Sequence, residues 1–443
     1  MAWLIVIFFH PVIGMFLYIL FGSNRLEQNP VRKHAGILKE LRGRRAAQRI
    51  HSVIPRVDSQ EAPIVRQTEK ISGMPLLGGN DVRFIAVSTE FIDALAADID
   101  AACVHVHLLL YIFAPDETGR RVIDALLRAA KRGVKCRLLV DALGSHKLLN
   151  SRSLLNELKN GGIEFASALP VAPFRRKLAR IDLRNHRKLV VIDNKVAYTG
   201  SQNIINADYG GRRAGPWFDL MGRLTGPVVA DLQIVFLEDW AVETGQQIDT
   251  PDVFAVPDAS GGIGAQVIDT NPSQNNDSFR RALIAAINAA QQRIVTTTPY
   301  FVLDEPTLLA LSLAADRGVE VNVVLPLHSD QRMAELAGRA NFLTLLESGV
   351  NIYQYHPGLL HSKTTTVDDA FALIGSANLD LRSFNLDFEL SVMLYGPQVT
   401  ARLREMQMAY IAQATKVDIK EWSHRPPLTQ YFERAVALLS PLL

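Results

Sequence analysis

One pattern of eighteen residues occurs twice in this chain and constrains its fold more than any other feature. It occupies residues 186–203 and again residues 361–378. Each copy reads His-x-Lys, four further residues, Asp, and later Gly-Ser-x-Asn, with every spacing the same. A single short motif often arises by chance, but two copies that agree at every spacing indicate an internal repeat. The chain is therefore expected to contain two copies of one unit, each contributing half of a shared site.

The repeated positions define the candidate site residues. Each copy supplies a histidine, a lysine, an aspartate, a serine and an asparagine, and an acidic residue follows 33 residues after the first histidine and 28 after the second. The candidates are His186, Lys188, Asp193, Ser201, Asn203 and Asp219 in the first copy, and His361, Lys363, Asp368, Ser376, Asn378 and Glu389 in the second. Each late acid is expected to serve the histidine of its own copy.

These residue types suit the chemistry of a phosphodiester. Residues 189–192 are an apolar, β-branched run that predicts a buried strand, on which alternate side chains share a face. His186 and Lys188 should therefore lie side by side, one able to attack or exchange a proton and the other able to neutralise phosphoryl oxygens. The Gly-Ser turn that follows is expected to present free N–H groups and a hydroxyl to the same anion. These groups need no metal, and the sequence predicts neither a metal nor a cofactor.

Weaker repeats and an alternation of strand and helix surround both motifs. Residues 111–117 resemble residues 300–305, and residues 129–134 resemble residues 314–319. The predicted strands are 104–113, 135–140, 293–298 and 321–325, and the predicted helices are 119–131, 154–160, 279–290 and 308–315. Such alternation predicts an α/β fold with a largely buried sheet.

The paired motifs resemble those of the phospholipase D superfamily, and residues 184–188 and 378–384 are similar to the bacterial cardiolipin synthases. The resemblance covers nearly the whole chain. It implies two tandem phospholipase D-like α/β sandwich domains that form one composite site, here assigned to residues 61–255 and 256–443. It also implies transfer of a phosphatidyl group between two phosphatidylglycerol molecules, which gives cardiolipin and glycerol through a phosphatidyl-histidine intermediate.

The resemblance also implies roles for the site residues. By analogy His186 is the nucleophile and His361 the general acid and base, although the sequence alone leaves open which histidine attacks. Asp219 and Glu389 match the carboxylates that orient the two imidazoles. Asp193 and Asp368 end their strands and are expected to be structural, tying the two copies together.

The N-terminal region predicts attachment to a membrane. Residues 2–22 carry no formal charge, and about 20 apolar residues suffice to span a bilayer, so residues 1–22 are interpreted as a transmembrane helix rather than a signal peptide. The resemblance implies two adjacent spans, of which this would be the second. Nine Lys or Arg residues follow between positions 23 and 56, within a basic juxtamembrane linker assigned to residues 23–60. This asymmetry predicts catalytic domains on the cytoplasmic side of the bacterial inner membrane, in contact with anionic lipids.

Several alternatives remain open at this stage. The paired motif also suits a phosphodiesterase that hydrolyses lipid or nucleic acid, although no nucleic acid partner is expected here. Residues 270–277 depart from the family pattern, so phosphatidylethanolamine could replace one phosphatidylglycerol as co-substrate. A non-catalytic scaffold would predict the loss of one motif, and both are intact. A basic loop ending at Arg184 is either a solvated loop or a rim that gathers headgroups.

Overall fold

The computed structural model describes residues 7–8, 10–18, 36–37, 39–43, 61–169, 183–209, 211–255, 257–272 and 277–440. Half of the predicted span 1–22, most of the basic segment 23–60, the basic loop before residue 183 and half of the 270–277 loop lie outside these residues. Within the predicted span, Pro11–Leu17 is helical (α1). None of the described helices is both long and apolar enough to cross a membrane.

The described strands fall into two series, one for each copy of the repeat. The first series is β1 (Leu77–Ile85), β2 (His105–Leu110), β3 (Lys135–Asp141), β4 (Glu164–Ala168), β5 (Lys188–Ile192), β6 (Val196–Gly200), β7 (Trp217–Phe218) and β8 (Met221–Thr225). The second is β9 (Ile263–Thr270), β10 (Arg293–Thr297), β11 (Phe301–Val302), β12 (Glu320–Pro326), β13 (Asn351–Tyr355), β14 (Leu359–Leu360), β15 (Thr364–Val367), β16 (Phe371–Gly375), β17 (Leu379–Asp380), β18 (Glu389–Tyr395) and β19 (Ala414–Lys416).

The described helices follow the same division. After α1 come α2 (Ala62–Ser72), α3 (Ser88–Ala101), α4 (Glu117–Lys131), α5 (His146–Leu149), α6 (Arg152–Asn160), α7 (Gly211–Ala214) and α8 (Val228–Thr244). The second series is α9 (Ser278–Ala289), α10 (Glu305–Asp316), α11 (Arg332–Arg339), α12 (Phe342–Glu347), α13 (Leu381–Asn385), α14 (Pro397–Ile411), α15 (Ile419–Ser423) and α16 (Pro427–Ala437).

The sheet shows the duplication directly. Fifteen strands hydrogen-bond in the order β19-β13-β12-β10-β15-β16-β18-β9-β1-β8-β6-β5-β2-β3-β4, which is symmetric about the antiparallel pair β9 and β1 apart from β19. In each half, three parallel strands joined by helices adjoin an antiparallel meander that contains the repeated motif. The prediction of an α/β fold built from two related units is therefore confirmed.

The predicted elements lie within three residues of the observed ones at both ends. The upstream repeats have a local explanation. Asp116 and Asp304 cap α4 and α10 by accepting hydrogen bonds from the N–H groups of residues 119 and 307, at 2.9 Å and 3.1 Å. Gly133 and Gly318 follow these helices with φ of 91° and 88°, a conformation that favours glycine. The repeats thus specify where each crossover helix begins and ends.

The two copies bury one shared core. Leu189 and Val191 of the first meander belong to the same buried cluster as Ile374 and Val392 of the second. α8 packs into this cluster and is buried on all sides from Val228 to Ala241, including its polar residues. A buried polar side chain requires a hydrogen-bond partner, so the acids of this helix are available to fix neighbouring groups.

The described part of the basic segment also packs onto this core. Ile37 and Leu41 are buried in it, and the Arg42 guanidinium lies 2.9 Å from the Asp269 carboxylate. The next helix, α2, packs on the second copy, where Ile64 joins its core and Gln67 donates a hydrogen bond to the Arg281 carbonyl at 3.3 Å. Residues that precede the first copy therefore contact the second.

Candidate active site

Both histidines of the two His-x-Lys segments lie just before strands β5 and β15 rather than within them. His186 precedes the first residue of β5, which is Lys188, and both His361 and Lys363 precede β15. Each lysine turns back on its own segment, with Nζ donating to the histidine carbonyl at 2.8 Å in the first copy and 2.7 Å in the second. The prediction that both residues lie on a strand was wrong in detail, but each lysine does lie beside its histidine.

Each histidine is paired with the carboxylate of the other copy. His186 Nδ1 lies 3.0 Å from Glu389 Oε1, and His361 Nδ1 lies 2.6 Å from Asp219 Oδ1. The expectation that each acid serves the histidine of its own copy was therefore wrong. Because neither imidazole is oriented without the partner copy, the two copies form one composite site.

The backbone explains this exchange of acids. Strand β14 pairs in parallel with β7, and the N–H of His361 donates to the Phe218 carbonyl at 2.8 Å, next to Asp219. In the other direction, the N–H of His186 donates to the Phe388 carbonyl at 2.9 Å, next to Glu389. A histidine segment of each copy thus runs beside the acidic segment of the other, and side-chain pairing follows from that register.

The serines hold the acids and do not form an anion-binding turn. Ser201 donates its hydroxyl to Asp219 at 2.6 Å, and Ser376 donates to Glu389. Their backbone N–H groups already donate to the carbonyls of residues 220 and 390, both at 2.9 Å. The prediction of free N–H groups at this turn was therefore wrong, because these groups donate hydrogen bonds to the next strand.

The asparagines differ between the two copies. Asn203 accepts a hydrogen bond from the N–H of Ile112 at 3.3 Å and donates to the Tyr209 hydroxyl at 3.2 Å. Asn378 is buried, and its side-chain oxygen has no hydrogen-bond partner within the described residues. Asn378 therefore retains an acceptor that a substrate hydroxyl could use.

Asp193 and Asp368 face the backbone of their own copy. The Asp193 carboxylate accepts from the N–H groups of residues 103, 104 and 105 at 2.7 Å, 2.8 Å and 2.9 Å. Asp368 does the same for residues 291, 292 and 293 at 2.8 Å, 2.8 Å and 2.7 Å. These contacts agree with the prediction that Asp193 and Asp368 have a structural role. The two carboxylates fix the start of β2 and β10 within each copy, however, and do not tie the copies together.

Burial and neighbouring charge together leave both imidazoles neutral. Desolvation and the adjacent lysine lower the pKa of His186, and the same two causes lower the pKa of His361 to about 3. Burial alone would raise the pKa of Glu389, but His186, Lys188 and Ser376 outweigh it and hold that pKa at about 2. Because an ionised carboxylate can only accept, the imidazole Nδ1 must carry the proton and Nε2 is left as the free nucleophilic atom.

The lysines are also affected by their surroundings. Burial lowers the pKa of Lys188 to about 8, although the acids around it partly offset that effect. The pKa of Lys363 lies well below its usual value, because burial and Lys188 outweigh the attraction of Asp219 and Glu389. Because burial disfavours the charged form of both lysines, an anion that binds beside them would be stabilised by them and would in turn favour their protonation.

Two aromatic residues complete the surroundings of the histidines. The Tyr111 ring lies edge-on to His186 with centroids 4.7 Å apart and lies 5.2 Å from Lys188 Nζ. The Trp217 ring lies 4.3 Å from the His361 ring. Tyr111 begins the repeated segment 111–117 and Trp217 lies two residues before the candidate Asp219, but aromatic type alone gave no reason to assign either ring to the site.

Arg187 is a supporting residue that sequence reasoning missed. It lies between His186 and Lys188, is fully buried, and donates to Asp239 at 2.7 Å and to the Glu389 carbonyl at 3.2 Å. Its remaining nitrogen donates to the carbonyl of residue 270 at 3.1 Å. The middle position of His-x-Lys points away from the anion, so the motif itself gave no signal for this role.

Arg184, the last basic residue of the loop for which a solvated loop and a headgroup-gathering rim were both left open, is buried and so is not exposed at such a rim. Its guanidinium is buried, with Nη1 3.5 Å from Asp141 Oδ1. The other basic residues of that loop lie outside the described residues.

A paired His-x-Lys site between two related α/β halves defines a protein of the phospholipase D superfamily. A family model described as "Cardiolipin synthase, PLD-like domain" matches residues 95–211 and 283–409. The chain belongs to this cardiolipin synthase family of phosphatidyl-transferring enzymes, as the sequence resemblance predicted.

Known relatives agree with this assignment. Cardiolipin synthase A of Yersinia pseudotuberculosis is 37% identical over 450 residues, which span 100% of this chain and 92% of that protein. Cardiolipin synthase A of Yersinia pestis matches to the same extent. Among solved structures, phosphatidylserine synthase of Haemophilus influenzae superposes with a TM-score of 0.65 at 16% identity, over 86% of this chain and 100% of that chain, which shows a shared fold.

Proposed function

We propose that this chain joins two phosphatidylglycerol molecules into cardiolipin and glycerol through a phosphatidyl-histidine at His186. The observation that carries the proposal is the exchange of acids, which puts two neutral imidazoles and two buried lysines into one site. Membership of the cardiolipin synthase family supports the same reaction.

In the first half-reaction His186 Nε2 attacks the phosphorus of the donor lipid. The P–N bond forms as the bond from phosphorus to the glycerol oxygen breaks, and His361 gives a proton to the departing alkoxide. The Nε2 of His361 must be protonated for this step, although its pKa is about 3 in the structure. The bound phosphate opposes the charge of Lys188 and Lys363 and thereby raises that pKa.

In the second half-reaction the roles of His361 reverse. A glycerol hydroxyl of the second lipid gives its proton to His361 and attacks phosphorus, and the P–N bond to His186 breaks. The assignment of nucleophile is supported by exposure, because the His186 side chain is 12% accessible whereas that of His361 is 3%. Lys188 and Lys363 stabilise charge on the phosphoryl oxygens in both steps.

Whichever hydroxyl reaches the intermediate decides the product. Water would give phosphatidic acid, so a synthase differs from a hydrolase in excluding water from the intermediate rather than in its catalytic groups. Phosphatidylethanolamine as co-substrate would instead enter the first half-reaction as the phosphatidyl donor, with ethanolamine as the leaving group, because its headgroup has no free hydroxyl to attack the intermediate. Residues 273–276 of the loop that raised this alternative lie outside the described residues.

The proposed location is the cytoplasmic face of the bacterial inner membrane. The uncharged run at residues 2–22 and the basic residues that follow it support an N-terminal anchor beside anionic lipid. A bilayer also brings both substrates to one surface and so favours their reaction with each other.

Purified full-length enzyme given phosphatidylglycerol alone tests the reaction. We expect cardiolipin and free glycerol in equal amounts, with little phosphatidic acid. Phosphatidic acid as the main product would show a hydrolase. If cardiolipin forms only after phosphatidylethanolamine is added, the chain is still a phosphatidyltransferase, but phosphatidylethanolamine replaces one of the two phosphatidylglycerol substrates. No lipid product with either lipid would contradict the proposal.

A further inference from the structure

The C-terminal helix α16 has its apolar side facing outward. Leu428, Tyr431 and Phe432 of this helix, and Leu438 immediately after its last residue, are 83%, 68%, 58% and 62% exposed. Their spacing of three, four and ten residues after the first places them along one side of a helix. Single exposed apolar residues are common on protein surfaces, but a continuous stripe of large ones marks a surface that is covered by something else.

This orientation is fixed by a buried ion pair. On the inner side of the helix, Glu433 is buried and receives both terminal nitrogens of Arg425 at 2.8 Å and 2.9 Å. The same guanidinium stacks on the Trp422 ring at 3.5 Å. Rotation of the helix to bury its apolar side would expose Val436 and break this pair. The apolar stripe therefore cannot be buried by the described residues of the chain while this pair is kept.

The helix lies close to the active site. Val436 packs with Val302 of β11 and with Ala337 of α11. Strand β11 pairs with β17, which begins at the residue after Asn378. The helix that bears the stripe thus packs on β11, and β11 pairs with the strand that begins next to the site residue Asn378.

Other exposed apolar residues lie at the same end of the sheet. Leu143 lies two residues after the end of β3 and is 47% exposed, and Met333 lies at the start of α11, the helix that follows β12, and is 41% exposed. Parallel strands of each half end at the edge where the histidines precede β5 and β15. Both copies therefore contribute exposed apolar side chains to the active-site end.

We propose that α16 inserts this stripe into the headgroup region of the bilayer that supplies the substrates, and so holds the active site at the lipid surface. The proposal rests on the proposed function, since a lipid substrate makes the bilayer the surface that the site end must meet. Leucine with tyrosine and phenylalanine is the composition of interfacial helices, and the exposed Arg434 beside the stripe can reach an anionic headgroup.

A polarity-sensitive fluorophore on Leu428→Cys tests insertion directly. Cys103→Ser first removes the exposed native thiol, and the label on Leu309→Cys, an exposed leucine of α10, serves as a matched control. The full chain is mixed with vesicles of phosphatidylglycerol and phosphatidylcholine. We expect a blue shift and quenching by acyl-brominated lipid at position 428 and neither at position 309. Equal behaviour of the two positions would overturn the proposal.

A pair of surface variants tests the consequence for catalysis. Leu428→Gln with Phe432→Gln is compared with Leu309→Gln plus Leu313→Gln, which has the same spacing and also changes exposed residues. Loss of two inserted side chains should lower turnover on vesicles by about tenfold or more. Turnover in detergent micelles should be unchanged, and the control pair should match the unaltered enzyme in both assays.

The remaining outcomes also decide the question. An equal loss in vesicles and micelles would show that the residues support the fold, and a change from dimer to monomer in sedimentation would show that a second copy covers the stripe. Either result overturns the bilayer proposal. The reaction itself is measured in micelles, so absence of cardiolipin there would contradict the proposed function, whereas probe insertion is observed without turnover.

Discussion

The Glu389 carboxylate of the second copy lies 3.0 Å from Nδ1 of His186 in the first copy. The pKa of Glu389 is about 2, so this acid is ionised at neutral pH and fixes the imidazole tautomer with Nε2 free. Ser383 also donates to this carboxylate at 2.8 Å. The competence of His186 therefore depends on a residue 203 positions away in the chain.

The first prediction tests this pairing with a double-mutant cycle. Glu389→Gln should lower kcat by about 10²-fold, because an amide no longer stabilises the imidazolium or selects the tautomer. Added to His186→Ala, the same change should cost almost nothing more, since its partner is already absent. Added to Asp219→Asn, it should act independently, which gives the matched control. If Glu389→Gln instead causes no further loss of kcat in a His361→Ala background, Glu389 acts through the histidine of its own copy and the prediction is contradicted.

A second prediction concerns the pH dependence set by Lys188. Its pKa is lowered to about 8, so the ammonium form that neutralises phosphate is lost as the pH rises through that value. The fall of kcat/KM on the alkaline side should therefore begin near pH 8 in the free enzyme. Lys188→Arg keeps its charge to above pH 12 and should move this fall upward, even if the maximum rate is lower. If Lys188→Arg leaves the alkaline fall of kcat/KM unchanged, that fall reports the titration of another group.

The same shift affects stability in a defined direction. Between pH 8 and the usual lysine value, the unfolded chain binds the Lys188 proton and the folded chain does not, so this residue makes unfolding less favourable as the pH rises. Glu389 acts on the acidic side. Its folded pKa is below the unfolded value of 4.5, so its contribution is complete above that pH and is lost as the pH falls toward 2.

The third prediction separates support of the site from its chemistry. Asp193→Ala should leave three backbone N–H groups at the start of β2 without an acceptor and lower the free energy of unfolding by about 2–3 kcal/mol. Asp368→Ala should do the same at β10. Denaturant unfolding measures the loss, and turnover of the remaining folded enzyme at low temperature should stay within about threefold of normal. A large loss of kcat in fully folded protein would instead place these acids in the reaction.

Much of the architecture followed from the sequence because the repeat exposes it. Matching spacings identified His186 and His361, and the alternation of strand and helix patterns located the crossover helices. The exchange of acids could not be predicted, because it depends on which segments pair in space: residues 217–218 run beside β14, not beside their own motif. Arg187 was missed for a similar reason, since its partners lie on α8 and on the strands of the second copy.

The last prediction decides which histidine attacks phosphorus. A phosphatidyl substrate with a nitrophenol leaving group needs no proton from the enzyme, because the nitrophenolate is a stable anion at neutral pH. His361→Ala should then still release one equivalent of nitrophenol in a burst and accumulate phosphatidyl-His186, since only the second step requires a base. His186→Ala should show no burst, because it lacks the nucleophile. Mass spectrometry of the quenched protein locates the modified peptide, and a burst in His186→Ala with label at His361 would reverse the assignment.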